Sequence, residues 1–179
     1  MRTLTEQIVN YASYHRDRRN IATHFVGIPM IVVAVTTLLA QPTFQLGGLT
    51  LAAVWPVAVA AALYYLVLDL RFGLVMAALL ALAAGIGMAI AARSTGTWLG
   101  GGLGLFVAGW IIQFIGHAFE GRKPAFVDDL MGLLIGPLFL VTETAFALGR
   151  APALFAAVQA RAGPTHGGQR RAHAISPGP

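Results

Sequence analysis

The hydrophobic positions of this chain fall into long runs that are separated by short polar breaks. Between Phe25 and Gly116 the only charged residues are Asp69, Arg71 and Arg93. A water-soluble helical fold needs a polar face along its helices, and a stretch so poor in charge cannot supply one. The pattern therefore predicts an all-α fold, a polytopic helical membrane protein with four to five membrane segments.

Four apolar runs are candidates for membrane spans. A transmembrane helix needs about 20 apolar residues, so the first run is short and the next three are long enough. The runs cover about 25–40, 49–68, 72–92 and 97–117. A fifth segment, at about 130–148, contains Gly136-Pro137 and Glu143. Because proline interrupts a helix, we expect this segment to be broken and to be re-entrant or interfacial.

The two ends of the chain differ from its middle. Residues 4–22 predict an amphipathic interfacial helix, since apolar positions recur with a helical period and a basic flank follows. Asn20 is a candidate N-cap for the first span. Residues 1–149 are predicted to form a single integral membrane domain. Residues 150–179 mix Gly, Pro, Arg and Ser, which predicts a disordered basic tail.

Composition supports a membrane location and narrows the chemistry. The chain is 57% hydrophobic and 11% charged, its mean hydropathy is +0.72, and its net charge is +5. The basic residues flank apolar runs, so they indicate membrane orientation and contact with anionic lipid, and no nucleic acid partner is expected. The chain has no cysteine, which excludes thiolate haem ligation, iron–sulfur clusters and cysteine nucleophiles.

The distribution of basic residues predicts the orientation of the chain. If the N-terminus is cytoplasmic and four runs cross, only Arg93 of the twelve Lys and Arg residues lies outside, provided that the fifth segment does not cross. The composition is rich in Ala, Gly and Arg and poor in Lys, which is typical of a GC-rich bacterial genome. We therefore expect an integral protein of a bacterial inner membrane, or of the endoplasmic reticulum in a eukaryote.

Three histidines are predicted to meet at the cytoplasmic face. His15, His24 and His117 each lie near the cytoplasmic end of a predicted segment. On one continuous helix His15 and His24 would point to opposite faces, so a bend between them is required for a common site. Gln113, His117 and Glu120 share one helical face. Three imidazoles with a carboxylate suit Fe(II), Zn or Mn, although the spacing matches no standard metal motif.

Other polar residues have simpler interpretations. Arg16, Arg18 and Arg19 are interpreted as a topology signal. Glu143 lies inside an apolar segment, where an acidic side chain is costly and commonly functional.

Two blocks of sequence resemble the membrane 2-hydroxy fatty acid dioxygenase family. The first block runs from Tyr11 to Pro29 and contains Tyr14-His15, Asn20 and His24. The second runs from Trp110 to Ala125, reads WIIQFIGHAFEGRKPA and is followed by Asp128 and Asp129. The run from Pro137 to Glu143 also fits. One departure is the stretch Arg16–Arg19, which replaces a His-Asn-Pro sequence typical of eukaryotic members.

The resemblance implies an Fe(II)-dependent dioxygenase that cleaves C1–C2 of 2-hydroxy fatty acids with molecular oxygen. Fe(2+) is the implied cofactor, and the product is a fatty acid shorter by one carbon. The implied metal ligands are His15, His24, His117 and Glu120. Arg122 and Lys123 are the implied partners of the substrate carboxylate. The residues implied to orient these groups are Asn20, Gln113, Asp128 and Glu143.

Two other functions remain open from the sequence. A haem-binding electron carrier can use His24 and His117 as axial ligands from two spans. A transporter or scaffold without catalytic activity can use Glu143 and the histidines as a proton path. A di-iron desaturase needs about eight histidines near the membrane, more than this chain has.

Overall fold

The computed structural model describes residues 2–167 and is helical apart from one short hairpin. The helices are α1 (Leu4–Ala12), α2 (Arg18–Ala40), α3 (Val54–Leu68), α4 (Leu70–Ala91), α5 (Thr95–Glu120), α6 (Gly132–Ala147) and α7 (Pro152–Ala162). The hairpin pairs β1 (Thr43–Leu46) with β2 (Leu49–Ala52), and a 3-10 turn covers Ala125–Val127. This architecture confirms the predicted all-α membrane fold.

Within residues 2–167, three helices are long and apolar enough to cross a membrane, namely α2, α4 and α5. Helix α3 has only 15 residues, but it returns the chain so that α4 runs parallel to α2. The side chain of Gln41 donates to the carbonyl of Ala91 at 2.9 Å, which places the two C-terminal ends side by side. Helices α6 and α7 are together apolar enough for a further membrane segment, but they are bent by 112° at their break, as in a broken span or a re-entrant loop.

The second predicted span, 49–68, was wrong in its first residues. Residues 49–52 form strand β2, and the helix begins only at Val54. The turn of the hairpin consists of Gly47 and Gly48, whose φ angles are 57° and 82°. These positive values favour glycine and allow a tight turn that apolar periodicity does not reveal.

The predicted interfacial helix 4–22 is two elements. Helix α1 ends at Ala12, and α2 begins at Arg18, earlier than the predicted start of the first span near residue 25. Asp17, rather than Asn20, is the N-cap of α2, because its carboxylate accepts from the backbone N–H of Arg19 at 2.8 Å. The expected bend between His15 and His24 is present, but it lies at residues 13–17.

The break predicted at Gly136-Pro137 does not occur there. Helix α6 continues through Pro137, and the chain bends after Ala147 instead. The hydroxyl of Tyr65 on α3 donates to the carbonyl of Leu134 at 2.6 Å. Proline at position 137 removes the helical donor to the carbonyl of Leu133, so the Tyr65 contact holds α3 against the adjacent carbonyl of this turn.

The C-terminal segment is more ordered than the sequence predicted. Residues 152–162 form α7, which packs against α1, and residues 168–179 lie outside the described part of the chain. Val158 of α7 is 1% exposed and packs in the same hydrophobic core as α1. Burial of this apolar side chain stabilises α7, although the overall composition of residues 150–179 did not predict a helix.

Glycines bring α2 and α5 into close contact. A Cβ atom on Gly27 would lie 2.9 Å from the carbonyl oxygen of Gly109, and one on Gly109 would lie 2.7 Å from Ile31. Backbones approach this closely in membranes only where small residues meet. The contact fixes His24 on α2 opposite His117 on α5.

Candidate metal centre

His15 lies in the bend that follows α1 and is fully buried. Its Nδ1 lies 2.7 Å from the carbonyl oxygen of Tyr11, and its ring stacks on the Tyr11 ring at a centroid distance of 4.1 Å. The backbone turn at residues 13–15 therefore turns the imidazole inward, with Nε2 directed away from Tyr11.

His24 and His117 complete a cluster of three buried imidazoles. The ring centroids of His15 lie 4.5 Å from His24 and 4.9 Å from His117, and the remaining pair is separated by 5.0 Å. One ring nitrogen of each residue lies within 4.8 Å of those of the others. The three sequence-predicted histidines are therefore brought together, with the geometry of a possible metal site.

The hydrogen bonds of this cluster assign the tautomers of two histidines. The Nδ1 of His24 lies 2.8 Å from the carbonyl oxygen of Asn20, as that of His15 does from Tyr11. A carbonyl only accepts, so both Nδ1 atoms carry hydrogen, and in the neutral rings both Nε2 atoms present lone pairs. These two Nε2 atoms are 3.0 Å apart, a distance that is repulsive unless a proton or cation binds them.

A metal ion fits this arrangement better than a shared proton. Burial lowers the pKa of His15 well below its usual 6.5, and the neighbouring His24 lowers it further. The Nδ1 of His117 is also buried and has no hydrogen-bond partner among the described residues. Neutral imidazoles whose Nδ1–H groups donate to carbonyls, with Nε2 atoms that converge, are the arrangement that protein metal sites use.

Glu120 does not join the histidine cluster. Its carboxylate accepts from the backbone N–H groups of Arg16 and Asp17, at 3.0 and 2.8 Å, and from the side-chain amide of Asn20 at 3.0 Å. The carboxylate is therefore anchored to the bend at 13–17, and the residues grouped closely enough to hold a metal are His15, His24 and His117. The structure thus does not support Glu120 as a metal ligand, and it gives this side chain a role in fixing the bend that carries His15.

Arg16 is a buried residue that the sequence did not distinguish from its neighbours. Its Nε donates to the carbonyls of Ala12 and His15 at 2.8 and 2.9 Å, and its Nη1 donates to Gly163 at 3.0 Å. Its Nη2 lies 3.8 Å from a carboxylate oxygen of Glu143. Burial lowers the pKa of Arg16, opposed by the nearby carboxylates. Arg16 was interpreted as a topology signal; the structure shows an internal cation.

The acidic side chain of Glu143 in an apolar segment was the sequence feature that could have indicated a buried cation such as Arg16. An acidic side chain inside an apolar helix requires a cation or a proton nearby. The chain offers twelve cations, and only the fold selects Arg16 among them. Glu143 thus pairs with the residue that follows His15.

Arg122 and Lys123 take part in contacts between the bend at 13–17 and the loop after α5. Arg122 donates to the carbonyl of Ser13 at 2.9 Å, and Lys123 pairs with Asp128. The hydroxyl of Tyr14 donates to the same Asp128 carboxylate at 2.9 Å. The Lys123 ammonium and the Tyr14 hydroxyl lower the pKa of Asp128. These residues connect the bend at 13–17 with the loop after α5.

A small cavity of about 60 Å³ adjoins the cluster, with His24, His117 and Gln113 in its wall. A cavity of this volume holds a few water-sized molecules. Gln113 is buried one helical turn before His117, and its Oε1 has no partner in the described part of the chain. The cavity therefore combines a small space with a free amide acceptor beside two imidazoles.

Comparison with known proteins gives a consistent result. The family model for 2-hydroxy-palmitic acid dioxygenase Mpo1-like proteins matches residues 1–148. The 2-hydroxy-palmitic acid dioxygenase MPO1 of Saccharomyces cerevisiae is 32% identical over 158 residues, which cover 87% of each chain. No solved structure matches.

Proposed function

This chain belongs to the Mpo1-like family of 2-hydroxy-palmitic acid dioxygenases, and we propose that it is an Fe(II)-dependent dioxygenase acting on 2-hydroxy fatty acids. The observation that carries the metal assignment is the 3.0 Å separation of the facing Nε2 atoms of His15 and His24. Two buried lone pairs at this distance call for a cation, and the third imidazole is in reach.

The proposed reaction cleaves the bond between C1 and C2 of the substrate. One 2-hydroxy fatty acid and one O₂ yield the fatty acid shorter by one carbon, CO₂ and water. Four electrons leave the substrate and reduce both oxygen atoms of O₂, so that no further reductant is required. Bound iron would supply the redox chemistry and a position at which the hydroxyl and carboxylate of the substrate chelate.

The residues of the chain hold and orient the reactants. His15, His24 and His117 would hold the iron, and the backbone carbonyls of Tyr11 and Asn20 fix two of the rings through their Nδ1–H groups. Burial of the cluster excludes bulk water, which strengthens charge interactions with a bound carboxylate.

Two side chains remain the proposed partners of the substrate carboxylate. Arg122 and Lys123 directly precede Pro124, Ala125 and Phe126, which line the cavity. Their present contacts are with loop groups. Substrate binding would therefore have to compete with the pairing of Lys123 to Asp128.

The geometry weighs against the haem alternative. A cavity of about 60 Å³ has no room for a tetrapyrrole between His24 and His117. The transporter or scaffold alternative predicts no tightly bound metal. We propose a bacterial inner membrane with the site at the cytoplasmic face, because five of the twelve Lys and Arg residues lie at or next to the ends of α2 and α5 that carry the histidines.

Metal analysis of detergent-purified protein tests the proposal. The wild type, reconstituted anaerobically with Fe(II), is expected to retain near-stoichiometric iron and to consume oxygen with a 2-hydroxy fatty acid. His117→Ala is expected to lose both properties. His173→Ala, which removes a histidine outside the described residues, is the matched control and should behave as the wild type. A wild type that binds no metal and consumes no oxygen would favour the transporter or scaffold.

A further inference from the structure

A second, larger cavity lies beside the metal centre. It is a groove of about 360 Å³ between α2, α4 and α6. Its walls run from Phe25 to Val33 on α2, from Met76 to Ile86 on α4, and from Pro137 to Thr144 on α6. With a rise of 1.5 Å per residue, the wall on α4 is about 15 Å long, half the hydrocarbon thickness of a bilayer.

The chemistry of the groove suits hydrocarbon. Among the described residues that line the groove, Thr144 is the one with a polar side chain, and its hydroxyl already donates to the carbonyl of Leu140 at 2.8 Å. The groove therefore presents no unpaired polar side chain to an occupant. Leu79 and Leu82 on its rim are 45% and 61% exposed, so the groove is open to surrounding lipid tails.

The groove and the metal-site cavity share a wall. Ile28, Val32 and Pro137 line both spaces. One layer of side chains thus separates an apolar channel of one-leaflet length from the small cavity that contains His24 and His117. A molecule with a polar end at the histidines and a chain in the bilayer would have to pass these three residues.

Helix packing explains why this groove is open. Near their C-terminal ends α2 and α4 touch, because a Cβ on Gly87 would lie 2.6 Å from the backbone of Thr36. Towards the metal centre the side chains that line α2 and α4 are larger, and Pro137 and Leu140 of α6 enter between them. The groove is therefore built from three helices and closed at one end by a glycine contact.

We propose that this groove binds the acyl chain of the substrate, with the 2-hydroxy carboxylate end at the histidine cluster and the chain between α2, α4 and α6. This inference rests on the proposed function and adds to it the position of the chain. It also makes the groove rim a determinant of chain length, because a long chain fills the groove whereas a short one ends near Ile28 and Val32.

Substitutions on the rim test the chain position by activity. Leu79→Trp places a larger side chain in the groove, and Leu74→Trp is the matched control on the same helix, since Leu74 is exposed and does not line the groove. We expect Leu79→Trp to lower oxygen uptake with 2-hydroxyhexadecanoic acid by about tenfold. Uptake with 2-hydroxyoctanoic acid and iron content should remain those of the control.

Photo-crosslinking tests the same inference without turnover. A 2-hydroxyhexadecanoic acid with a diazirine at its methyl end should label groove residues of α2, α4 and α6 in the wild type. An excess of unlabelled 2-hydroxyhexadecanoic acid should remove the label, whereas an excess of phospholipid should not.

The outcomes separate this inference from the proposed function. If Leu79→Trp and Leu74→Trp have the same chain-length profile, or if phospholipid displaces the label equally well, the groove is an ordinary lipid-facing crevice and the inference is overturned. If the wild type binds no iron and consumes no oxygen with either acid, the proposed function fails, and the assignment of the groove fails with it.

Discussion

The Nε2 atoms of His15 and His24 face each other at 3.0 Å, although nine residues separate them along the chain. The Nδ1–H of each ring donates to the backbone carbonyl four residues earlier, that of Tyr11 for His15 and that of Asn20 for His24. The same local relationship, once at the bend that carries His15 and once within helix α2, thus sets two lone pairs against each other. Without a cation this arrangement is unfavourable, because the repulsion is buried and cannot be relieved by water.

Metal binding is therefore expected to stabilise the fold. Addition of Fe(II) at about a hundredfold excess over its Kd should increase the free energy of unfolding by about 2.7 kcal/mol, and a chelator should reverse the effect. The measurement is thermal unfolding in detergent, with and without metal. His15→Ala should abolish the metal-dependent shift. An equal shift in His15→Ala and wild type would contradict a site at this histidine.

Replacement of Glu120 distinguishes a metal ligand from a loop anchor. Glu120→Gln leaves one acceptor oxygen where the carboxylate accepts from Arg16, Asp17 and Asn20. Loss of these charge-assisted hydrogen bonds should lower the free energy of unfolding by about 1.5–3 kcal/mol. Iron stoichiometry at saturating metal should be unchanged. Glu6→Gln, in the exposed capping box of α1, is the control, and loss of stoichiometric iron in Glu120→Gln alone would restore Glu120 as a ligand.

Arg16 is predicted to position His15 through the His15 carbonyl. Arg16→Met removes the cation beside Glu143, and leaving this partly buried carboxylate unpaired should cost about 1–3 kcal/mol of stability. The double variant Arg16→Met/Glu143→Gln should recover part of this loss. Arg18→Met, which changes an exposed arginine in the same run, is the control. Denaturation curves of the wild type, the single variants Arg16→Met and Glu143→Gln, and the double variant measure the coupling. A double variant as unstable as the sum of its singles would contradict the pairing.

The glycine contact between α2 and α5 is predicted to fix the distance between His24 and His117. Gly109→Ala introduces a Cβ that would lie 2.7 Å from Ile31 and 2.9 Å from the carbonyl of Gly27. We expect a loss of about 1–3 kcal/mol in stability and weaker iron binding. Both are measured by metal titration during thermal unfolding.

The control for this variant lies on the same helix. A Cβ on Gly104 meets no atom within 4 Å. Gly104→Ala should therefore stabilise α5 slightly, because alanine has the higher helix propensity. Equal behaviour of Gly109→Ala and Gly104→Ala would show that the close contact is not needed for metal binding.

Much of the fold follows from the local sequence. The long apolar runs at 72–92 and 97–117 predict helices that can cross a membrane, and α4 and α5 confirm this. The run at 25–40 is short by itself, and α2 reaches a spanning length because the helix begins at Arg18. The helix boundaries were less predictable. The hairpin turn at Gly47-Gly48 depends on backbone angles, and α6 continues through Pro137 where Tyr65 of another helix contacts it.

The histidine cluster was likewise predictable from the sequence only in part. The placement of His15, His24 and His117 at one membrane depth followed from span lengths and charge, and the resemblance to the dioxygenase family pointed to the same residues. The sequence placed Glu120 beside them because it shares a helical face with His117. It could not show that the backbone N–H groups of Arg16 and Asp17 occupy its carboxylate.

The sequence by itself thus determined the membrane class, the helices and the residues able to bind metal, because hydrophobicity and helical period act between near neighbours in the chain. Only the tertiary structure decided which arginine is buried beside Glu143, where Glu120 directs its carboxylate, and where α2, α4 and α6 leave a groove. Each of these depends on side chains that are distant in sequence, and their contacts exist only once the helices have packed.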